Sequence, residues 1–525
     1  MYYSRRDFLK TTGAAALSFG IPGLLKNCAA PAKRPNIVVI MADDMGYSDI
    51  GCYGGEIETP NIDSLAENGM RFTQFYNAAR CCPTRASLLT GLYPHQAGMG
   101  GMVSTSNPPG PYQGYLNDQC VTIAEVLKDA GYTTLMSGKW HVGEEQPHWP
   151  TDRGFDRYFG LISGAANYFD ISRTKRPDVN RTMALDGEEY TPPDEGFYMT
   201  DAFSDYAVEF LDEHGAGEEP FFLYLAYTAP HWPLHAWPED IAKYEGKYMS
   251  GWEQLRAERY KRMVEMGIVN QDWELSPPDS EVIPWDDIDD KELMDRKMAV
   301  YAAQVDSMDQ GIGKVLDKIE DLGKMDNTLI MFLSDNGGCH EENISTIANE
   351  DFEVGTEESY TSYGRDWANA SNTPYRMYKH WVHEGGIATP LVVQWPETIT
   401  NGGEITDDVG HIMDIMATCC DVAGAEYPAE RNGQEIVPLQ GKSLKPIFQG
   451  RDRDGYETLF WEHLGNRAVR QGRWKLVSRD RGEWELYDMV EDRSELTNLA
   501  NEQPERTEEM ALQFMTWAEQ VGVRL

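Results

Sequence analysis

The run Cys81-Cys82-Pro83-Thr84-Arg85, which continues to Gly91, brings a thiol and a fixed cation to one predicted helix start. Pro83 suits the first turn of a helix and Gly91 suits its end, so the helix is expected to open at the cysteine. A cysteine there faces unpaired backbone N–H groups and the positive end of the helix dipole. With Arg85 nearby, the site favours an anionic nucleophile and an anionic substrate. A buried structural cysteine is the alternative.

Two pairs of residues with side-chain oxygen ligands follow apolar runs that predict strands. Asp43-Asp44 follows the run 36–41, and Asp335-Asn336 follows the run 328–333. Clustered carboxylates need a cation, and oxygen ligands favour Ca²⁺ or Mg²⁺ over zinc. Taken singly, each pair also suits an ordinary loop, so a structural turn is the alternative.

Basic residues follow two further apolar runs. Lys139 and His141 come after 133–136, and His231 comes after 221–225. Lys379 stands five residues before Glu384. A single His or Lys is usually a surface residue or a satisfied core residue. A chemical role for these side chains therefore depends on their convergence with the other motifs.

The elements that must position these residues alternate between strand and helix. The apolar runs are continuous, which predicts a sheet buried on both faces. Helical patterns lie between them, at 122–130 with a capping box and at 298–322 with helical spacing of apolar residues. The sequence therefore predicts an α/β fold with a large, mixed but mostly parallel sheet flanked by helices. Ligands of such sheets bind beyond the carboxyl ends of the strands, where the polar clusters stand, so we expect one site.

The pattern changes near residue 450. Short runs within 459–487 predict antiparallel strands, and Pro504 opens a final helix that extends to about residue 521. We therefore expect an export signal at 1–32, a catalytic domain at 33–449 and a smaller C-terminal α+β subdomain at 450–525. The polar stretch 237–296 predicts a helical insertion, either near the substrate or as plain surface structure.

The chain is strongly acidic. Its 525 residues carry a net charge of −40, and 41% of them are hydrophobic, which is ample for a packed core. A nucleic-acid partner is disfavoured because a phosphate-binding surface needs a basic patch. An anionic substrate must be captured by local positive charge. Eight cysteines in a chain of this length are too few for a disulfide scaffold.

The first residues match a targeting signal. Ser4-Arg5-Arg6-Asp7-Phe8-Leu9-Lys10 has the twin-arginine pattern, and the weakly apolar stretch after it is too short and broken to span a membrane. We expect cleavage near Ala32, the twin-arginine translocase as a partner, and a periplasmic or extracellular location. A lipid anchor at Cys28 is the alternative, although Leu25-Lys26-Asn27 is a poor lipobox.

The cysteine run resembles the Cys-x-Pro-x-Arg signature of the type I sulfatases, a family of the alkaline phosphatase superfamily. The segment from Gly131 to His141 resembles the second sulfatase signature, and Ala229-Pro230-His231 resembles a third element. The resemblance extends from about Pro35 into the C-terminal subdomain and points to the bacterial arylsulfatase branch. It implies an alkaline phosphatase-like fold.

The resemblance also implies a role for each motif residue. Cys81 would be oxidised to formylglycine by a maturation enzyme, and the hydrate of that aldehyde would attack sulfur. Lys139 and Lys379 would bind the sulfate, His141 would act as the base on the hydrate, and His231 would protonate the leaving alcohol.

A divalent ion beside position 81 is implied as well, usually Ca²⁺, with Mg²⁺ as the alternative. Arg85 completes the core of the signature and belongs to the catalytic group. The implied metal ligands are Asp43, Asp44, Cys81, Asp335 and Asn336.

The expected activity is hydrolysis of sulfate monoesters of a small molecule or glycan, with a sulfated carbohydrate suggested by family habit. A phosphonate or phosphate ester hydrolase of the same superfamily is one alternative, because those esters also need anion capture. A catalytically silent glycan-binding protein, in which Cys81 is never converted, is the other. The residues leave the natural substrate open.

Overall fold

A computed structural model describes residues 33–174, 180–342 and 352–525 of the protein. The predicted export signal and Cys28 lie outside the described residues. The helices are α1 Pro60–Glu67, α2 Cys81–Thr90, α3 Ile123–Asp129, α4 Met199–His214, α5 Pro238–Ala242, α6 Trp252–Met266, α7 Lys291–Asp321, α8 Gly364–Ser371, α9 Glu384–Ile387, α10 Asp414–Ala423, α11 Lys445–Phe448 and α12 Pro504–Val521.

The strands are β1 Asn36–Asp43, β2 Met70–Tyr76, β3 Thr133–Gly138, β4 Arg157–Leu161, β5 Met183–Leu185, β6 Glu188–Tyr190, β7 Phe221–Pro230, β8 Thr328–Ser334, β9 Ala388–Gln394, β10 Glu404–Thr406, β11 Gly410–His411, β12 Glu430–Arg431, β13 Gln434–Glu435, β14 Leu459–His463, β15 Asn466–Gln471, β16 Trp474–Ser478 and β17 Glu485–Asp488.

The described strands build one large mixed sheet of eleven strands, in the order β10-β2-β9-β8-β1-β7-β3-β4-β5-β6 with β11 beside β2. The central strands β8, β1, β7 and β3 are parallel to one another, whereas β9 runs antiparallel to both β8 and β2. The expected mixed, mostly parallel sheet is confirmed.

Side chains of β1 alternate between two hydrophobic cores. Val38 and Ile40 join the core that also contains the apolar side of α7, and Ile37 and Val39 join the core that contains α2 and α3. The sheet is therefore covered by helices on both faces, which is why its central strands are apolar at every position.

The helix boundaries predicted near Cys81 and Thr122 are confirmed. Helix α2 begins at Cys81 and ends at Thr90, and Gly91 caps it with a left-handed backbone conformation. Thr122 and Glu125 form the predicted capping box of α3. The stretch 237–296 is helical in part, as α5 and α6, and Arg259 from α6 is buried in an ion pair with Asp49.

The C-terminal strands β14 to β17 form a separate antiparallel sheet in sequential order. Helix α12 contacts β15 and β16 and begins at Pro504, as predicted. The residues from Arg34 to Leu525 nevertheless cluster as one compact unit. None of the described helices has both the length and the apolar character needed to cross a bilayer.

Candidate active site

The pairs Asp43-Asp44 and Asp335-Asn336 meet because the strands that they follow are neighbours. Strands β1 and β8 are parallel, with Ala42 paired to Ser334, so the residues that follow them emerge side by side. The backbone N–H of Asp44 donates to Oδ1 of Asp335 at 3.2 Å, and Nδ2 of Asn336 donates to Oδ1 of Asp44 at 2.7 Å. All of these side chains are buried.

Two lysines from other segments lie against this acidic cluster. Lys139 follows β3, and its Nζ lies 2.5 Å from Oδ2 of Asp43. Lys379 precedes α9, and its Nζ lies 2.6 Å from Oδ1 of Asp44. Both ammonium groups are buried, so two cations project to the carboxyl edge of the sheet from opposite sides of the cluster.

Arg85 neutralises a further carboxylate. Its Nη2 and Nε donate to Oδ2 of Asp335 at 2.9 and 3.2 Å, and its Nη1 donates to the carbonyl of Lys139 at 3.0 Å. The guanidinium is fully buried, so this ion pair fixes the second turn of α2 against the end of β8. The cysteine at the start of α2 is thereby held beside the acidic cluster.

The carboxylates perturb one another strongly. Burial raises the pKa of Asp43 to about 6, and the nearby charge of Asp335 adds to the rise. Burial also raises the pKa of Asp335, against the effect of Arg85. For Asp44 the ammonium of Lys379 outweighs burial and lowers the pKa. Paired acids of this kind are stabilised by additional positive charge.

The donor set fits a hard divalent cation. Oδ1 of Asp43 and Oδ1 of Asn336 are buried and accept no hydrogen bond within the described structure. Oxygens of Asp43 and Asp44 also lie within 4.8 Å of a ring nitrogen of His231. Buried oxygens without donors are costly unless a cation or a water satisfies them. Oxygen-rich sites of this type suit Ca²⁺ or Mg²⁺.

Cys81 lies at the N-terminus of α2 and is only 2% exposed. A hydrogen bond from Cys82 lowers its pKa well below the ordinary value; burial opposes this, and the charges of Lys139 and His141 add to the lowering. The site therefore stabilises negative charge at position 81, as the helix start predicted.

The two histidines approach from different strand ends. His141 follows β3 in a left-handed backbone conformation, and its Nε2 lies 3.3 Å from Sγ of Cys82. His231 follows β7, with Nδ1 2.6 Å from the carbonyl of Trp232 and Nε2 3.4 Å from Oδ2 of Asp44. Burial lowers the pKa of both imidazoles.

All of the residues singled out from the sequence converge here, at the carboxyl edge of the sheet. Three neighbours were not predicted: Cys82 against His141, Gly164 beside the same imidazole, and Glu341, which accepts hydrogen bonds from Arg80 and Trp232. Cys82 occupies a variable signature position, and Gly164 and Glu341 lie outside every motif, so the sequence contained no signal for them.

A large, mostly parallel sheet with a buried nucleophile, acids and cations at its carboxyl edge defines an alkaline phosphatase-like ester hydrolase. Residues 35–425 match the family model described as Sulfatase, and residues 375–520 match the model described as N-sulphoglucosamine sulphohydrolase, C-terminal. The chain belongs to the sulfatase family and is a sulfuric ester hydrolase.

Individual relatives agree. The chain is 35% identical to an uncharacterised sulfatase of Schizosaccharomyces pombe over 95% of this chain and 96% of that protein. It is 36% identical to an arylsulfatase of Klebsiella aerogenes over 85% and 98% of the two chains. The crystal structure of Ps i-CgsB in complex with k-i-k-neocarrahexaose is similar with a TM-score of 0.68 and 28% identity, covering 92% of this chain and 93% of that one.

Proposed function

We propose that this sulfatase hydrolyses sulfate monoesters of a carbohydrate, with the hydrate of a formylglycine formed from Cys81 as the nucleophile and a divalent cation, Ca²⁺ or Mg²⁺, beside it. The observation that carries the proposal is the convergence of Cys81, Lys139 and Lys379 on one buried acidic cluster. The converted residue supplies an oxygen nucleophile that a thiol cannot provide.

The lysines and Arg85 compensate charge on the sulfate group. Their cations are buried and already fixed by Asp43, Asp44 and Asp335, so little reorganisation is needed when an anion binds. A cation held by Asp43, Asp44, Asp335 and Asn336 together with position 81 supplies further positive charge for the sulfate oxygens when it is bound.

Protons are handled by the two histidines. The carbonyl of Trp232 accepts from Nδ1–H of His231, so the ring must be doubly protonated for Nε2 to give a proton to the leaving oxygen. The carboxylate of Asp44, 3.4 Å from Nε2, favours that charged form against the effect of burial. His141 lies with Nε2 toward positions 81 and 82, where it accepts a proton from the hydroxyl of the converted residue. His231 thus acts on the leaving oxygen, whereas His141 acts on the hydroxyl of the converted residue.

A carbohydrate substrate is supported by the relatives. N-acetylgalactosamine-6-sulfatase of Mus musculus is 28% identical over 84% of this chain and 73% of that protein. The similar protein Ps i-CgsB was solved in complex with k-i-k-neocarrahexaose.

The test combines chemistry and activity. Mass analysis of the peptide that contains position 81 is expected to show the aldehyde or its hydrate, and defined sulfated sugars are expected to release sulfate. Cys81→Ala is expected to lose activity by at least about a thousandfold, because the nucleophile is gone. An unconverted Cys81 in a fully active protein, or faster turnover of matched phosphate esters, would contradict the proposal.

We also infer that the protein reaches the periplasm or the cell exterior through the twin-arginine translocase, after modification by a formylglycine-generating enzyme. The support is the pattern Ser4–Lys10 and the sulfatase signature at 81–85. Replacing Arg5 and Arg6 by lysines is expected to retain the protein in the cytoplasm. Unchanged export of that variant would exclude this route.

A further inference from the structure

Glu341 stands at the mouth of the site, in the segment that follows Asp335 and Asn336. Its carboxylate lies within electrostatic reach of Lys379 and His231. The side chain is 25% exposed, whereas the lysine and the histidine are buried. The carboxylate is therefore a partly exposed group near the buried proton donor His231, where an alcohol that leaves from the site can meet it.

Two donors fix the carboxylate in place. Nη2 of Arg80 donates to Oε1 at 2.7 Å, and the indole Nε1 of Trp232 donates to Oε2 at 2.8 Å. Burial raises its pKa, but Lys379 and Arg80 hold that pKa well below the ordinary value, so the group stays ionised. Each carboxylate oxygen has more than one acceptor site, so both can still accept hydrogen bonds from a ligand.

The cations near this mouth are already matched by acids. Arg80 pairs with Glu341, Arg479 lies 3.3 Å from Asp480, and Arg365 pairs with Glu281. The neighbouring imidazoles of His340 and His380 have pKa values lowered by burial. A second anionic group that enters here therefore meets carboxylates, while these neighbouring arginines are already paired with acidic side chains.

A second acidic region belongs to the segment that follows His141. A cavity of about 400 Å³ contains Glu144 and Glu145 together with the hydroxyls of Ser104, Thr105 and Tyr115. Glu144 follows His141 by three residues, and its charge acts on that imidazole, so the cavity lies near His141. Hydroxyls and carboxylates are the groups that recognise sugar hydroxyls, and fixed acids reject anions.

We propose that Glu341 is a specificity-determining residue that accepts hydrogen bonds from hydroxyls of the leaving alcohol, so that the substrate is a sulfate monoester of a neutral sugar. A sugar that carries a second sulfate or a carboxylate beside the scissile sulfate is rejected. This inference rests on the proposed hydrolysis at position 81.

The test uses the whole converted protein and matched substrate pairs. Galactose, glucose, fucose and N-acetylgalactosamine are each offered with one sulfate and with a second sulfate on the neighbouring carbon, and para-nitrophenyl sulfate serves as a reference without hydroxyls. For the sugar that is turned over fastest, we expect kcat/KM to favour the singly sulfated form by at least about tenfold.

Glu341→Gln removes the charge but keeps the shape. It is expected to reduce the kcat/KM preference for the singly sulfated sugar about tenfold, mainly through KM. Turnover of para-nitrophenyl sulfate is expected to change less than about threefold. Glu341→Asp is expected to keep the preference because it keeps the charge. Glu342→Gln, in the adjacent exposed residue, is the matched control and should behave as wild type.

Three results would overturn the inference: a wild-type preference for doubly sulfated sugars, an equal loss on all substrates in Glu341→Gln, or turnover of the aryl sulfate with none of the sugars. Failure of the proposed hydrolysis at position 81 is distinguishable, because wild type would then fail to release sulfate from para-nitrophenyl sulfate as well.

Discussion

Gly164 lies directly against the imidazole of His141, so closely that a β-carbon at position 164 would fall 2.3 Å from Nε2 and 2.5 Å from Cε1. A real β-carbon cannot approach that closely, so Gly164→Ala must displace the imidazole. We expect turnover to fall at least about a hundredfold, because a small misplacement of a catalytic group has an effect of that size.

The melting temperature of Gly164→Ala is expected to change little, because the imidazole of His141 can move away from the new methyl group. Gly101→Ala is the control, since its β-carbon would meet only Cδ1 of Tyr112 at 3.5 Å. Wild-type turnover in Gly164→Ala would show that His141 does not need its present position.

Cys82 holds the other side of the same imidazole. Burial raises the pKa of its thiol well above the ordinary value, so the group stays protonated, and its Sγ packs 3.3 Å from Nε2 of His141. Cys82→Ala is expected to lower kcat about tenfold because the imidazole loses this contact and can shift, and Cys82→Ser is expected to retain most of the activity. Mass analysis should show equal conversion of Cys81 in both variants; equal kcat values would show that the contact has no role in turnover.

Removal of divalent cations should destabilise the protein. Asp43, Asp44 and Asp335 are buried together, and bound cation stabilises the folded state by mass action. We expect a chelator to lower the melting temperature by several degrees and added Ca²⁺ to restore it. The response should be smaller in Asp43→Asn, which removes a carboxylate with a free oxygen. A melting temperature that is insensitive to both chelator and Ca²⁺ would argue against the site.

Acid should weaken the contact between the large sheet and the C-terminal sheet. Glu384 begins α9, and its carboxylate lies 2.8 Å from Lys475 and 2.9 Å from Arg493, all fully buried. Although burial opposes it, these cations lower the pKa of Glu384 from 4.5 to about 2. A lowered folded pKa gives stability that is complete above the unfolded value, so it is lost as the pH falls from about 4.5 toward 2.

Glu384→Gln should show the same loss at neutral pH. It leaves Arg493 buried without its carboxylate partner and Lys475 with Glu495 as its remaining one, which costs about 3–5 kcal/mol of unfolding free energy. Thermal unfolding across pH checks this, with the exposed Glu502→Gln as control. The proposal fails if Glu384→Gln melts like wild type near neutral pH.

The sequence was sufficient to predict the position of residues that directly follow strands. Asp43 and Asp335 could be placed together because the carboxyl ends of parallel strands share one edge, and apolar runs reveal such strands. The helix start at Cys81 was readable from Pro83 and Gly91 alone. These inferences use only local composition and one rule of topology.

The supporting contacts could not be predicted in that way. Gly164 meets His141 through a loop after β4, and Glu341 takes donors from Arg80 and Trp232, which are far apart in the chain. No periodicity or capping pattern encodes such pairs, because each one depends on how complete elements come together. Such contacts can be recognised only in the three-dimensional structure.

The burial of Cys81 constrains when this protein can become active. Its side chain is 2% exposed at the base of a helix that Arg85 locks to Asp335. If Cys81 is converted as proposed, a maturation enzyme must act before the strands close over this thiol. Under that mechanism the competition between folding and modification during synthesis, rather than the concentration of finished protein, would set the fraction of molecules that can ever turn over.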